Sequence, residues 1–155
     1  MTETLDGGGG AGLPDLAAAN GLGSPDEKSA PPPALLVGFD VLGGRFAVDG
    51  GGLGMAPGEV CYWGPDSLSW VGLSGGHAAF VSWALGGGLG DFYAGLRWGG
   101  WEEMTEALPL DEGISVFPPP FTTEGRGPRV SRRPVPFAEL LGFYDDAAAQ
   151  LRAAE

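Results

Sequence analysis

Gly72-Leu73-Ser74-Gly75-Gly76 comes nearest to a catalytic motif: it is a G-x-S-x-G run between a strand-like and a helix-like stretch, the setting of a hydrolase nucleophile elbow. A serine nucleophile needs a base delivered from elsewhere in the fold. The single histidine, His77, follows on the same helix-like stretch, and the single lysine, Lys28, lies in a Gly- and Pro-rich segment far upstream. A glycine-rich chain produces this pattern by chance. Ser74 is therefore expected to cap a helix N-terminus, and Ser74→Ala to leave any activity intact.

Other chemistries find less support. No G-x-x-x-x-G-K-[ST] loop is present, and the glycine clusters at 50–54 and 86–90 lack the last glycine of G-x-G-x-x-G. One His and one Cys exclude a structural zinc site. Carboxylates alone hold Mg²⁺ or Ca²⁺ in some proteins, and Glu102-Glu103 and Asp111-Glu112 are the adjacent pairs. Adjacent acids are more often a solvated face, so no metal and no cofactor is expected. A glycosidase-type carboxylate pair stays open, because nothing singles one out of 20 acids. Cys61, beside Tyr62 and Trp63, reads as a small buried hydrophobe. No catalytic residue is assigned.

Two charge features remain. Arg126, Arg129, Arg132 and Arg133 cluster in one stretch. In a chain of net charge −12 they read as a solvated loop facing an acidic body rather than a nucleic-acid patch. Glu102, Glu103, Glu106, Asp111 and Glu112 form an acidic run with no base among them. At about 100° per residue, a helix that buries Trp101, Met104, Thr105 and Leu108 turns Glu102, Glu103 and Glu106 away from its core stripe. No Lys or Arg at i+4 dilutes their repulsion. These five acids are the candidate docking face for a basic protein partner. Tyr62, Trp63, Trp70, Trp98 and Trp101 are an alternative: an aromatic lining for a small ligand, with core packing as the plainer reading.

The elements that must position these groups begin after a long preamble. Gly and Pro number 30 and 14 of 155 residues, concentrated in part in runs such as Gly7-Gly8-Gly9-Gly10 and Pro31-Pro32-Pro33. Residues 1–33 are expected to be a disordered or degenerate tail, with Leu13 to Ala19 forming a turn or two of helix. Residues 34–155 are expected to form one small α+β domain. Leu35–Val41, Arg45–Asp49, Glu59–Trp63 and Leu68–Val71 read as short strands with tight turns, an antiparallel meander. The period then changes to 3.6. His77–Leu85 is apolar nearly all round and is expected to be buried. Leu89, Phe92, Tyr93 and Leu96 follow at helical spacing, then Trp101 to Leu108. Ile114–Phe117 returns as a strand, and 122–135 reads as a polar loop. Pro136 suits the first position of a final helix with the stripe Phe137, Leu140, Leu141, Tyr144, Ala148 and Leu151.

The start at Met1 shows neither a basic n-region nor an apolar h-region, and no apolar run is long enough to cross a bilayer. One cysteine forms no internal disulfide. A cytoplasmic protein is expected, with neither nucleic acid nor membrane as partner. The scarcity of Lys, Ile and Asn beside abundant Gly, Ala, Arg and Pro points to a GC-rich genome.

The core resembles a bacterial family of unknown function, domain of unknown function 2625. The stretches that carry the likeness are Phe39-Asp40-Val41-Leu42-Gly43-Gly44-Arg45-Phe46-Ala47-Val48-Asp49-Gly50-Gly51 and Pro57-Gly58-Glu59-Val60-Cys61-Tyr62-Trp63-Gly64-Pro65-Asp66-Ser67-Leu68-Ser69-Trp70. It continues through Asp91-Phe92-Tyr93, Leu96-Arg97-Trp98, Gly100-Trp101-Glu102 and Arg132-Arg133-Pro134-Val135-Pro136, and covers residues 34–150. Family members look longer at the amino end. Where they tend to open a helix with an aromatic-Ser-Asp-Phe-like run, this chain has Gly76-His77-Ala78-Ala79-Phe80. The family implies no activity and no site. A weaker likeness runs to the architecture of the SUKH (Smi1/Knr4-like) superfamily, which implies an interaction module, immunity-like in many members. The expectation is a non-enzymatic protein-interaction module; a small hydrolase using carboxylates or Ser74 and a small-ligand binder lined by Trp and Tyr remain as alternatives.

Overall fold

Four consecutive segments combine β-branched or aromatic residues with glycine turns, and they pair in sequence order. The computed structural model describes residues 16–21 and 32–154. Strands β1 (Ala34–Phe39), β2 (Arg45–Asp49), β3 (Glu59–Gly64) and β4 (Ser69–Gly76) form an antiparallel sheet of order β1-β2-β3-β4. The expected meander is therefore the fold, with strand bounds moved by a few residues. Asp40 begins the β1–β2 turn, where its N–H donates to the Gly44 carbonyl at 2.9 Å and Gly43 takes φ +88°. A left-handed φ of that kind is open to glycine at little cost.

Register decides what each face carries. Phe46 pairs with Tyr62, and Arg45 with Trp63. Side chains alternate along a strand, so Phe46 and Tyr62 share one face, Arg45 and Trp63 the other. The Phe46–Tyr62 face is covered by helical segments. These are α2 (His77–Trp83), a wide π turn (Ala84–Gly88), α3 (Leu89–Phe92) and a 3₁₀ turn (Ala94–Leu96). Phe46 meets Phe80 at 5.1 Å, and Tyr62 meets Phe92 edge-on at 5.0 Å. The Trp63 face is covered by a C-terminal helix, α5 (Phe137–Ala153), where Trp63 meets Tyr144 at 6.2 Å. Layers on both faces explain why Val60 through Gly64 is an unbroken buried run.

The chain between these layers holds α4 (Trp101–Glu106) and a second sheet, β5 (Glu112–Phe117) with β6 (Ser131–Pro136). The sheet is antiparallel and pairs Ile114 with Pro134. The Ile114 N–H donates to Val41 O at 2.6 Å and joins the hairpin to the main sheet. A short helix, α1 (Leu16–Ala19), sits against β1. The Asn20 side chain there accepts from Leu36 N and donates to Leu36 O. Pro33 O accepts the N–H groups of Gly50 and Gly52. Leu13 lies outside the described residues.

Several expectations need correction. The helix from His77 has no buried residue: Phe80 and Trp83 turn to the sheet, while Val81 is 38 % and Leu85 85 % exposed. Among the described residues, no further layer covers its outer side. Residues 131–136 form a strand, not part of a polar loop. A register that places Pro134 and Pro136 in an edge strand costs few ladder bonds, since proline has no N–H to donate. Pro136 is the N-cap of α5 rather than its first residue, and Leu151 is exposed at the far end of the stripe.

Candidate functional site: an aromatic cleft beside an acidic helix

Asp40 closes β1 and organises the site. Its Oδ1 accepts the N–H groups of Leu42 at 2.9 Å and Gly44 at 2.8 Å, which fixes the turn. Its Oδ2 accepts the hydroxyls of Tyr62 at 2.9 Å and Tyr93 at 2.8 Å. A carboxylate has about four lone-pair directions, and all four are used. Asp40 therefore ties β1, β3 and the end of α3 together, with its acceptor directions occupied. Burial pushes the Tyr62 and Tyr93 phenols far above their ordinary range, and the Asp40 charge adds to the rise. Both act as donors held neutral. Gly44 sits against this cluster with no room for a Cβ, which would meet the Asp40 carboxylate and the Tyr62 hydroxyl.

Asp40 and Tyr93 of this cluster form one wall of a cleft of about 430 Å³. The other walls are Phe39 and Phe46 from the sheet, Phe80 and Leu89 from the helical layer, and Leu96, Trp98, Trp101 and Thr105 from the chain leading through α4. The Thr105 hydroxyl donates back to Trp101 O at 2.8 Å, so it is occupied within the helix. Arg97 lies over the Trp101 ring at 4.5 Å. The volume falls within the range of small-ligand and side-chain pockets, and the lining is almost wholly apolar. A second cavity of about 250 Å³ continues it along Phe39, Val41 and Thr105 to Leu110 and Glu112.

Of the five acids named from the sequence, one lines the groove's continuation and the others lie exposed around it or behind α4. Trp101 and Thr105 face the cleft, while Glu102, Glu103 and Glu106 are exposed on the opposite side of α4. Glu112 lines the far cavity. Asp111 is exposed, and its carbonyl accepts the Phe137 N–H at 2.8 Å. Among the described residues the one salt bridge, Arg45–Asp145 at 2.8 Å, lies elsewhere, so none of the five has a cation at that range. The described residues contain no group of three His, Cys, Asp or Glu side chains fit to hold a metal ion.

Ser74 does not cap a helix. It lies inside β4 with φ +60°, in a bulge where Cys61 pairs with Gly72 but Glu59 with Gly76. Its N–H donates to Glu59 Oε1 at 2.8 Å, and the α2 N-cap is Gly76, without a side-chain bond. The glycine motif thus marks extra residues in a strand rather than a strand-to-helix elbow. Cys61 is fully buried, and burial raises its thiol pKa further than the nearby Asp49 and Glu59 charges do. The aromatic set divides. Tyr62 and Trp63 are core, Trp70 packs on the α5 side, and Trp98 and Trp101 line the cleft. The Asp40 cluster has no local signature beyond its turn: Asp40 stands four residues before Gly44, but the Tyr93 bond spans 53 positions and leaves no local trace.

Fold and site define a small α+β domain with an aromatic cleft and an acidic flank. The chain belongs to the family described as protein of unknown function DUF2625, which it matches over residues 6–140. It is similar to an uncharacterized protein of Escherichia coli K12, YbfG, at 41 % identity over 85 residues, which is 55 % of this chain and 39 % of that protein. It is also similar to an uncharacterized protein of Haemophilus influenzae Rd at 37 % identity over 93 residues, 60 % of this chain and 40 % of that protein. The matches thus span about two fifths of the length of these curated relatives. No solved structure matches. Among the described residues, no helix is long and apolar enough to cross a membrane.

Proposed function

We propose that the protein is a non-enzymatic interaction module that seats an apolar side chain of a basic protein partner in the aromatic cleft. The observation that carries this reading is an apolar groove on one side of α4, with Glu102, Glu103 and Glu106 exposed on the other side of that helix and Asp111 and Glu112 at the groove's far end; among the described residues, none of the five has a cation at salt-bridge distance. Cationic side chains of a partner would find acids on α4 and at Glu112, and its apolar anchor would displace water from Phe39, Trp98 and Trp101. The fully bonded Asp40 supports a binding role over proton transfer, and the strand setting of Ser74 weakens the hydrolase alternative. A cytoplasmic setting belongs to the same proposal and is supported by the single cysteine being buried and unpaired. The immunity-like variant rests on the SUKH likeness alone and predicts a toxin gene beside the gene for this chain.

The test is to reverse Glu102, Glu103 and Glu106 together to Lys, and separately to make Trp101→Ala, then compare proteins captured from the native host at low and high salt. Each variant is expected to lose the same basic protein, which the unaltered chain holds less well as salt rises. An unchanged set of captured proteins in both variants refutes the reading.

A further inference from the structure

Seven of the eight basic residues are arginines. Three of them, Arg97, Arg126 and Arg132, line one cleft of about 330 Å³ between the β3–β4 turn, the 3₁₀ turn before Arg97 and the chain that follows β5. A body of net charge −12 offers ample carboxylates, yet among the described residues none lies within salt-bridge range of these guanidinium groups. They are held by neutral groups instead. Arg132 lies over the Trp98 ring at 4.6 Å, Arg97 over the Trp101 ring at 4.5 Å, and Arg126 donates to the Asp66 backbone carbonyl at 2.8 Å. A guanidinium held by a ring rather than by a carboxylate keeps N–H donors for a carboxylate or phosphate oxygen pair. Asp66 also lines the cleft and is its one carboxylate. The remaining walls include Leu42, Pro65 and Val116. Leu42, Leu96, Arg97 and Trp98 are shared with the larger aromatic cleft, so the cationic space opens onto an apolar one.

We propose that this cleft binds a small organic acid that carries a planar ring. The anionic head lies among Arg97, Arg126 and Arg132, and the ring lies along Trp98 toward the aromatic cleft. Its ring end shares Trp98 with the aromatic cleft proposed to seat the partner, whereas its charged end, at Arg97, Arg126 and Arg132, uses none of the five acids.

The experiment is calorimetric titration of the full chain with phenyl phosphate, inorganic phosphate and phenol. Phenyl phosphate is expected to bind with 1:1 stoichiometry, more weakly as salt rises. Inorganic phosphate, lacking the ring, is expected to bind about tenfold more weakly, and phenol, lacking the charge, not measurably. Arg126→Gln and Arg132→Gln are each expected to weaken phenyl phosphate by about tenfold or more, the scale of one charge-assisted bond. Arg126 is exposed, so its variant tests the site without disturbing the core, and Arg133→Gln, outside the cleft, is expected to leave binding unchanged. The proposal is overturned if phenyl phosphate does not bind at millimolar concentration, if phenol binds as tightly, or if Arg126→Gln and Arg133→Gln have equal effects. Reversal of Glu102, Glu103 and Glu106 at physiological salt is expected to leave phenyl phosphate binding in place, which separates this site from the partner reading.

Discussion

Tyr93→Phe isolates one arm of the Asp40 cluster. The phenyl ring keeps its edge contact with Phe92, whose centroid is 4.8 Å away, so the change removes the hydroxyl and little else. The lost bond, 2.8 Å to a charged acceptor, belongs to a class that contributes about 1.5–3 kcal/mol. Tyr93 is only partly buried, and Asp40 keeps three donors, so the lower end applies: about 1.5–2 kcal/mol. Tyr62→Phe, at a more buried position, is expected to cost about 2–3 kcal/mol. Asp40→Ala leaves two phenols and two backbone N–H groups without their acceptor and is expected to cost at least about 4 kcal/mol. Because Tyr93 has no acceptor once Asp40 is gone, adding Tyr93→Phe to Asp40→Ala is expected to cost almost nothing more. That non-additivity identifies a shared bond. Urea unfolding at neutral pH, followed by tryptophan fluorescence and circular dichroism, reads all four variants; an unchanged slope confirms that stability alone has moved. A loss under about 0.5 kcal/mol for Tyr93→Phe, or an Asp40→Ala variant no less stable than Tyr93→Phe, would falsify the assignment of Asp40 as the tie between sheet and helical layer.

Stability is also expected to fall steeply in alkali. Burial raises the pKa of Tyr62, Tyr93 and Tyr144 in the fold, so the unfolded chain loses protons first, from about pH 10. The contribution is complete below that pH and declines above it by about 1.4 kcal/mol per pH unit for each phenol, with Tyr93→Phe removing one third of the slope; a flat profile of urea midpoints from pH 9 to 11 contradicts this. In acid, Asp49 governs the β2–β3 loop. The Leu53 N–H foremost, with those of Gly51 and Met55, holds its carboxyl below the ordinary range against the opposing effect of burial, so its contribution is present above about pH 4 and is lost as pH falls through the lowered value. Asp49→Asn is expected to lower the unfolding midpoint at neutral pH and to flatten the acid limb, and an acid limb identical to that of the unaltered chain counts against it. Gly44→Ala is expected to destabilise by about 2 kcal/mol or more, because the added methyl displaces the Asp40 carboxylate or the Tyr62 hydroxyl; a thermal midpoint equal to that of the unaltered chain removes the steric argument.

Local information was enough for much of the architecture. Short apolar segments separated by Gly43-Gly44 and Gly64-Pro65-Asp66 specified an antiparallel meander, because tight turns leave no length for a crossover. The i, i+3, i+7 spacing of Phe137, Leu140 and Tyr144 specified the buried face of α5. The acidic strip on α4 followed from helical periodicity once Trp101 and Thr105 were placed inward. Where neighbours in space are distant in sequence, local pattern carries no such information. Residues 131–136 carry two prolines and three polar residues, and they became a strand because β5 offered a partner. Whether the helix from His77 was buried depended on how many layers cover it, which its own composition does not encode. Ser74 was placed by a bulge set through pairing with Glu59 and Cys61, not by the helix that follows. The site shows the division most clearly. Asp40 and Gly44 form a turn that four residues of sequence announce, but the tyrosines that complete the cluster come from β3 and from the end of α3. Trp98 and Trp101 were visible as aromatics, yet only packing turned them to a cleft while it sent Trp63 to the core. Composition fixed the charge of this protein; tertiary structure decided that three arginines gather with no carboxylate of the described residues at salt-bridge distance, because charges from separate loops meet only after the chain has folded.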